Sequence, residues 1–169
     1  MMVLSMQIGK RGYLGFTYLG LMMVIAIAGI GMAGVGIVWH KEMQREREKE
    51  LLFIGNALRN GIGSYYENSL GGVKQFPASL EDLIQDKRYP KTKRHLRNLY
   101  ADPMSRNQPW GLVLQQGRII GVYSTSQEKP IKTYGFSIGY EAFSEAAQYS
   151  DWRFVYTPGS LLPDLIITE

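Results

Sequence analysis

A run of 28 residues without a charged side chain, Gly12 to Trp39, constrains this chain more than any other feature of its sequence. It is bounded by Lys10-Arg11 on one side and His40-Lys41 on the other. As a helix it would extend about 42 Å, against roughly 30 Å of hydrocarbon in a bilayer. A cleaved secretory signal has an apolar region of only about 7–15 residues, so the run reads as a membrane-spanning segment. Basic residues before the span and balanced charge after it predict a single pass with the N-terminus in the cytoplasm and everything after residue 40 outside the cytoplasmic membrane.

Charge and composition exclude several functions. The chain has 169 residues, with 19 Lys+Arg against 15 Asp+Glu and no cysteine. Without cysteine there is no disulfide scaffold, thiolate zinc site or Cys nucleophile. Residues 1–15 carry a net +2 (Lys10, Arg11), residues 16–50 balance four positive charges against four negative, and residues 51–169 set 13 positive against 11 negative. With acids so evenly interleaved, the surplus is too diffuse to mark a nucleic-acid-binding protein by itself.

Gly29-Ile30-Gly31-Met32-Ala33-Gly34 matches the spacing of a dinucleotide-binding fingerprint. That fingerprint needs a strand before it and an acidic ribose partner about 20 residues on; inside an apolar helix it implies no cofactor. Gly29, Gly31, Gly34 and Gly36 each weaken a helix by about 1 kcal/mol relative to alanine, but small residues let neighbouring helices approach closely. Gly20, Gly29, Gly31, Ala33 and Gly34 are therefore the candidate helix-packing positions.

Beyond the run, residues 41–50 place opposite charges at i,i+3, including Arg45 with Glu48 and Glu46 with Lys49, which supports a solvated helix. From Leu51 an apolar stripe follows at Leu51, Ile54, Leu58, Ile62 and Tyr65, the spacing of one buried helix face. These patterns predict a single helix from about Phe16 to Tyr66, its first half in lipid and its second half packed on a head. Asn68 to Gly72 reads as the turn that ends it. Ser79 is placed to cap a short helix bearing Leu80, Leu83 and Ile84, with Glu81 and Asp82 in its first turn. Trp110–Gln115 and Arg118–Ser124 around Gln116-Gly117 read as a hairpin, and Trp152–Tyr156 as a third strand. Residues 125–148 read as an excursion with a short helix near Glu141–Gln148. The fold class expected is α+β: a long N-terminal α-helix, membrane-spanning in its first half, on a small antiparallel sheet.

Lys87, Arg88, Lys91, Lys93, Arg94 and Arg97 cluster within thirteen residues that also hold His95. They form the candidate binding patch; the plainer reading is a solvated helix face. His40 and His95 read as polar surface groups. No Ser, His and Asp set has motif context, Glu81-Asp82 suits a helix start, and no catalytic, cofactor or metal residues are assigned.

The segment Arg11 to Gly29, with GFTYLGLMMVIAIAG after a short basic stretch, resembles the leader junction of type IV pilins and type II secretion pseudopilins. Phe76 to Leu83 (Phe-Pro-x-Ser-Leu-x-x-Leu), Asp102-Pro103 and Trp110-Gly111-Leu112 resemble the head of pseudopilins related to the major type II secretion subunit. The resemblance implies a leader over 1–15 and prepilin peptidase cleavage between Gly15 and an N-methylated Phe16, with Gly12 before Tyr13 as a rival cleavage point. It implies a transmembrane half over 16–39, a periplasmic half-helix over 40–67, a head over 68–157 and a tail over 158–169. It further implies a non-enzymatic filament subunit supporting protein export, whose partners are other pilin or pseudopilin subunits, an inner-membrane assembly platform and the peptidase. The alternative is a minor pilin that binds DNA or a surface through 87–97. The family's usual Glu at mature position five is replaced here by Gly20. The calcium site that major pseudopilins carry in late loops has only Asp151 and Asp164 to draw on, too few oxygen ligands for that ion.

Overall fold

The computed structural model describes residues 14–105 and 108–159, with side chains of the long helix described over 17–29 and 39–67. In chain order the elements are α1 (Leu14–Glu67), 3₁₀ turns at Leu70–Gly72 and Leu80–Leu83, β1 (Gly111–Gln115), β2 (Arg118–Tyr123), 3₁₀ turns at Glu141–Glu145 and Tyr149–Asp151, and β3 (Arg153–Val155). The chain divides into two compact units, Met1–Glu42 and Met43–Glu169.

The second unit is an α+β head. Its sheet has the order β1-β2-β3 and is antiparallel throughout. β1 and β2 meet at Gln116 (φ 51°) and Gly117 (φ 74°), both left-handed, as a two-residue hairpin matched to strand twist requires. The register shifts between Val113 and Leu114, whose partners Gly121 and Ile119 skip Ile120, so the extra residue lies in β2.

The helical stripe accounts for the packing. Leu51, Ile54, Leu58, Ile62 and Tyr65 are all buried and join Leu83, Ile119, Val122, Trp152 and Phe154 in one core. Gly55 and Gly63 lie on the sheet side of α1, where a Cβ would collide with the rings of Phe154 and Tyr156. The glycines reduce helix propensity, and in exchange the rings of Phe154 in β3 and of Tyr156 just after it lie directly against the helix backbone. The excursion over 125–148 supplies core as well as surface, since Phe143 stacks on Trp152 at 5.3 Å; Tyr149, just after it, meets the same indole edge-on at 5.2 Å.

The membrane-spanning half of the expected fold is not shown. Among the described residues no helix is long and apolar enough to cross a membrane. Beyond the uncharged run, α1 carries eight charges within 41–50. The single-pass inner-membrane topology with a periplasmic head, and the membrane half of the fold class, are corrected accordingly.

Candidate functional site

The head carries an open cleft of about 730 Å³, lined by three stretches of chain, 78–81, 99–101 and 108–112, together with Ile119. Each wall is held by a specific bond. Asp82 accepts from the backbone N–H of Ala78 and Ser79, both at 3.1 Å, which starts the Leu80–Leu83 turn. The opposite wall depends on Asp102, which is buried: it accepts from Met104 N at 2.9 Å, Ser124 Oγ at 2.7 Å and Thr125 N at 3.2 Å. Trp110 Nε1 donates to the Tyr100 carbonyl at 2.7 Å, and Ile119 N donates to the Pro77 carbonyl at 2.9 Å.

The lining is mainly apolar and includes Leu80, Leu99, Trp110, Leu112 and Ile119. Glu81 is its only carboxylate, exposed and held below the usual range by its own backbone N–H and Ser79. Among the described residues no histidine and no second acid lines the cleft, so those residues supply it with no acid–base pair.

A second cluster superficially resembles a catalytic set. Ser64 Oγ lies 2.8 Å from His95 Nδ1, and His95 Nε2 lies 3.1 Å from Asp86 Oδ2. Asp86 also accepts from Arg88 Nε at 2.9 Å and Arg88 Nη2 at 2.7 Å. The guanidinium continues to Ser69 Oγ and the Tyr65 carbonyl, both at 2.8 Å, and lies 3.5 Å from the Tyr65 ring centroid. The contacts fit a neutral His95 that donates from Nε2 to Asp86 and accepts from Ser64 at Nδ1, a tautomer assigned from its partners. Burial pushes the Asp86 carboxyl upward, but hydrogen bonds from Arg88 and His95 outweigh it and hold it at about 2. Burial lowers the His95 pKa, against the opposing bond to Asp86. The His95 and Asp86 side chains are fully buried and neither lines the cleft. The cluster therefore ties the end of α1 to the 86–95 loop, and His95 is a core group where the sequence suggested a surface one.

A third anchor joins α1 to the excursion. Glu48 is buried and accepts from Ile131 N and Lys132 N, both at 2.9 Å, and from Tyr149 Oη at 2.7 Å. Burial, followed by this bond, raises the Tyr149 pKa.

Of the candidate patch, Lys87, Lys91, Arg94 and Arg97 are exposed. Arg88 is engaged as above, and Lys93 Nζ donates to Asn68 Oδ1 at 2.7 Å and sits over the Tyr89 ring. The 87–99 stretch is turns and a single bridge from Asp86 to Lys93, not a helix. Gly20 and Gly29 are exposed, with open space where a Cβ would be. Gly15 belongs to α1 by its backbone. Phe16, Gly31, Ala33 and Gly34 belong to α1 by their backbone and are otherwise outside the described residues, as Gly12, Tyr13 and Asp164 are altogether. Asp151 accepts from Ala147 N and Gln148 N, and no cluster of three metal-ligating side chains occurs among the described residues.

Comparison with protein-family models, with curated proteins and with solved structures finds no match to this chain.

Proposed function

We propose that this protein is a structural subunit of a filament of the pilin or pseudopilin kind, assembled by packing of its N-terminal helix against copies of itself. The observation that carries the reading is the described helical stretch 17–29, on which Leu19, Leu21, Met23, Val24, Ile25 and Ile27 are all more than half exposed. A contiguous apolar surface of that kind marks an interaction site. Open space beside Gly20 and Gly29 suits close helix approach. The order of the head segments, with the second half of α1 packed on an antiparallel hairpin, supports the same reading, as does the resemblance around Gly15-Phe16.

Ile25→Asp should abolish polymer seen by negative-stain microscopy and sedimentation, while the near-UV signal of the buried Trp152 and Tyr149 stays unchanged. Equal assembly of wild type and variant would overturn the reading. Maturation offers an independent test: the mass of the mature N-terminus should correspond to a methylated Phe16. An unprocessed chain, or a start at Tyr13, counts against the assignment.

A further inference from the structure

The head carries opposite charge at two levels of α1, each level beside exposed apolar side chains. We propose that these are the two halves of one contact between copies of this chain: the 133–151 stretch of one copy seats on the 70–73 turn and the 87–97 loop of the next. The proposal rests on the filament reading above and names the head surfaces that take part.

Charge supports it first. Residues 87–97 hold six Lys or Arg and no acid, whereas 133–151 hold Glu141, Glu145 and Asp151 and no Lys or Arg. Lys87, Lys91, Arg94 and Arg97 are exposed, as are all three acids. Among the described residues none of these seven side chains is in an ion pair.

Placement supports it second. The basic loop is tied to the end of α1 by His95 with Ser64 at 2.8 Å and Lys93 with Asn68 at 2.7 Å, and Arg88 reaches Ser69 in the adjoining turn at 2.8 Å. The acidic stretch is tied to earlier turns of α1, by Tyr149 with Glu48 at 2.7 Å and by Tyr140 with Asn56. Those anchors precede Ser64 by about 24 and 12 Å of helix respectively, against a screening length of about 8 Å at physiological ionic strength. A head with opposite charge at two levels of one axis is complementary to a second copy displaced along that axis. Such a head-to-tail contact propagates into a fibre when it does not close into a ring.

Apolar surface supports it third. Tyr134 and Ile138 are at least 80% exposed, and Leu70 and Val73 more than half. Glu141 accepts from Gly139 N at 2.9 Å, which holds the acid next to Ile138. An apolar centre rimmed by polar and charged groups is the anatomy of a protein interface, and complementary charge fixes its register.

Charge reversal in the full chain tests the pairing. Lys91→Glu with Arg94→Glu, and separately Glu141→Lys with Glu145→Lys, should each cut sedimentable polymer roughly tenfold, because like charges then face each other. All four changes in one chain should restore it. Wild-type yield from the reversed chains, or no recovery in the combined chain, overturns this contact and leaves the filament reading standing; no polymer from wild type overturns both. Loss of duplex DNA binding in the basic reversal, with assembly unchanged, also overturns it and makes the loop a polyanion site. The absence of cysteine permits a second test with the charges intact. Ile138→Cys chains mixed with Val73→Cys chains should give roughly tenfold more disulfide-linked dimer under mild oxidation than either variant alone, and equal yields would overturn the proposal.

Discussion

Two buried carboxylates fasten α1 to the rest of the head, and they are satisfied in opposite ways. Asp86 faces a cation: Arg88 takes both of its oxygens, and His95 adds a further side-chain bond. Glu48 is held by neutral donors, two consecutive backbone N–H groups and a tyrosine hydroxyl. A buried ion pair contributes less net stability than its short distances suggest, because both ions lose water, yet removing one partner is costly since the other stays behind. A carboxylate met by oriented N–H dipoles leaves no stranded charge when it is neutralised. The two anchors should therefore respond unequally to the same isosteric change.

Asp86→Asn is expected to have the largest effect. It leaves Arg88 without a counter-ion and turns an amide N–H toward donors, costing about 3 kcal/mol. Glu48→Gln turns one amide N–H toward Lys132 N or Ile131 N but strands no cation, and should cost about 1.5 kcal/mol. Urea unfolding of the full chain, following the near-UV signal, measures both. Equal costs would show that Arg88 is adequately held by Tyr65 and Ser69 alone, and the contrast between the anchors would disappear.

This contrast was only partly legible in the sequence. Periodicity is local, so the stripe from Leu51 to Tyr65, the Gln116-Gly117 hairpin and the third strand could be read from spacing, and all are present. Glu48 sits in a run of alternating charge and looked like a solvated i,i+3 partner of Arg45. Its actual partners are 83 to 101 residues away, and no helical spacing reveals them. His95 was misread for a related reason: a histidine among six cations resembles surface until the fold brings Asp86 and Ser64 to its two nitrogens. The cleft was hidden because three separate stretches build it, although Trp110 and the Asp102-Pro103 step that hold one wall stood out as motif residues. The uncharged run was read as a lipid span on its length alone, and the described stretches of the helix do not bear that out.

pH tests the Asp86 cluster in its own right. The Asp86 carboxyl is depressed from 3.8 to about 2, so the folded state binds that proton later than the unfolded chain does. Its contribution is complete above about pH 3.8 and is lost as pH falls toward about 2. His95 is also depressed, from 6.5; below that pH the unfolded chain takes up a proton that the buried ring refuses, so stability falls there as well. Wild-type unfolding midpoints should thus decline from neutral pH in two stages. In Asp86→Asn the lower stage should shrink relative to wild type, because the depressed carboxyl is gone. Parallel curves for the two proteins below pH 4 would mean that Asp86 is not the group being titrated.

The smallest effect provides the baseline against which both anchors are judged. Lys49 donates to Glu46 at 2.7 Å on the exposed face of α1, with both side chains more than 60% solvent-accessible. The distance equals that between Arg88 and Asp86, so geometry alone would rank the two pairs together. In water, however, the charges of the exposed pair are screened and two long side chains must be ordered to bring them together, which leaves such helix pairs worth about 0.3 kcal/mol. Lys49→Ala is expected to shift the urea midpoint by little more than measurement error, and addition of salt should erase what shift there is. Asp86→Asn should keep most of its effect at the same ionic strength, because its partners are shielded from solvent. If the two variants prove equally sensitive to salt, the Asp86 cluster is behaving as a surface pair, and burial is not what makes it costly to break.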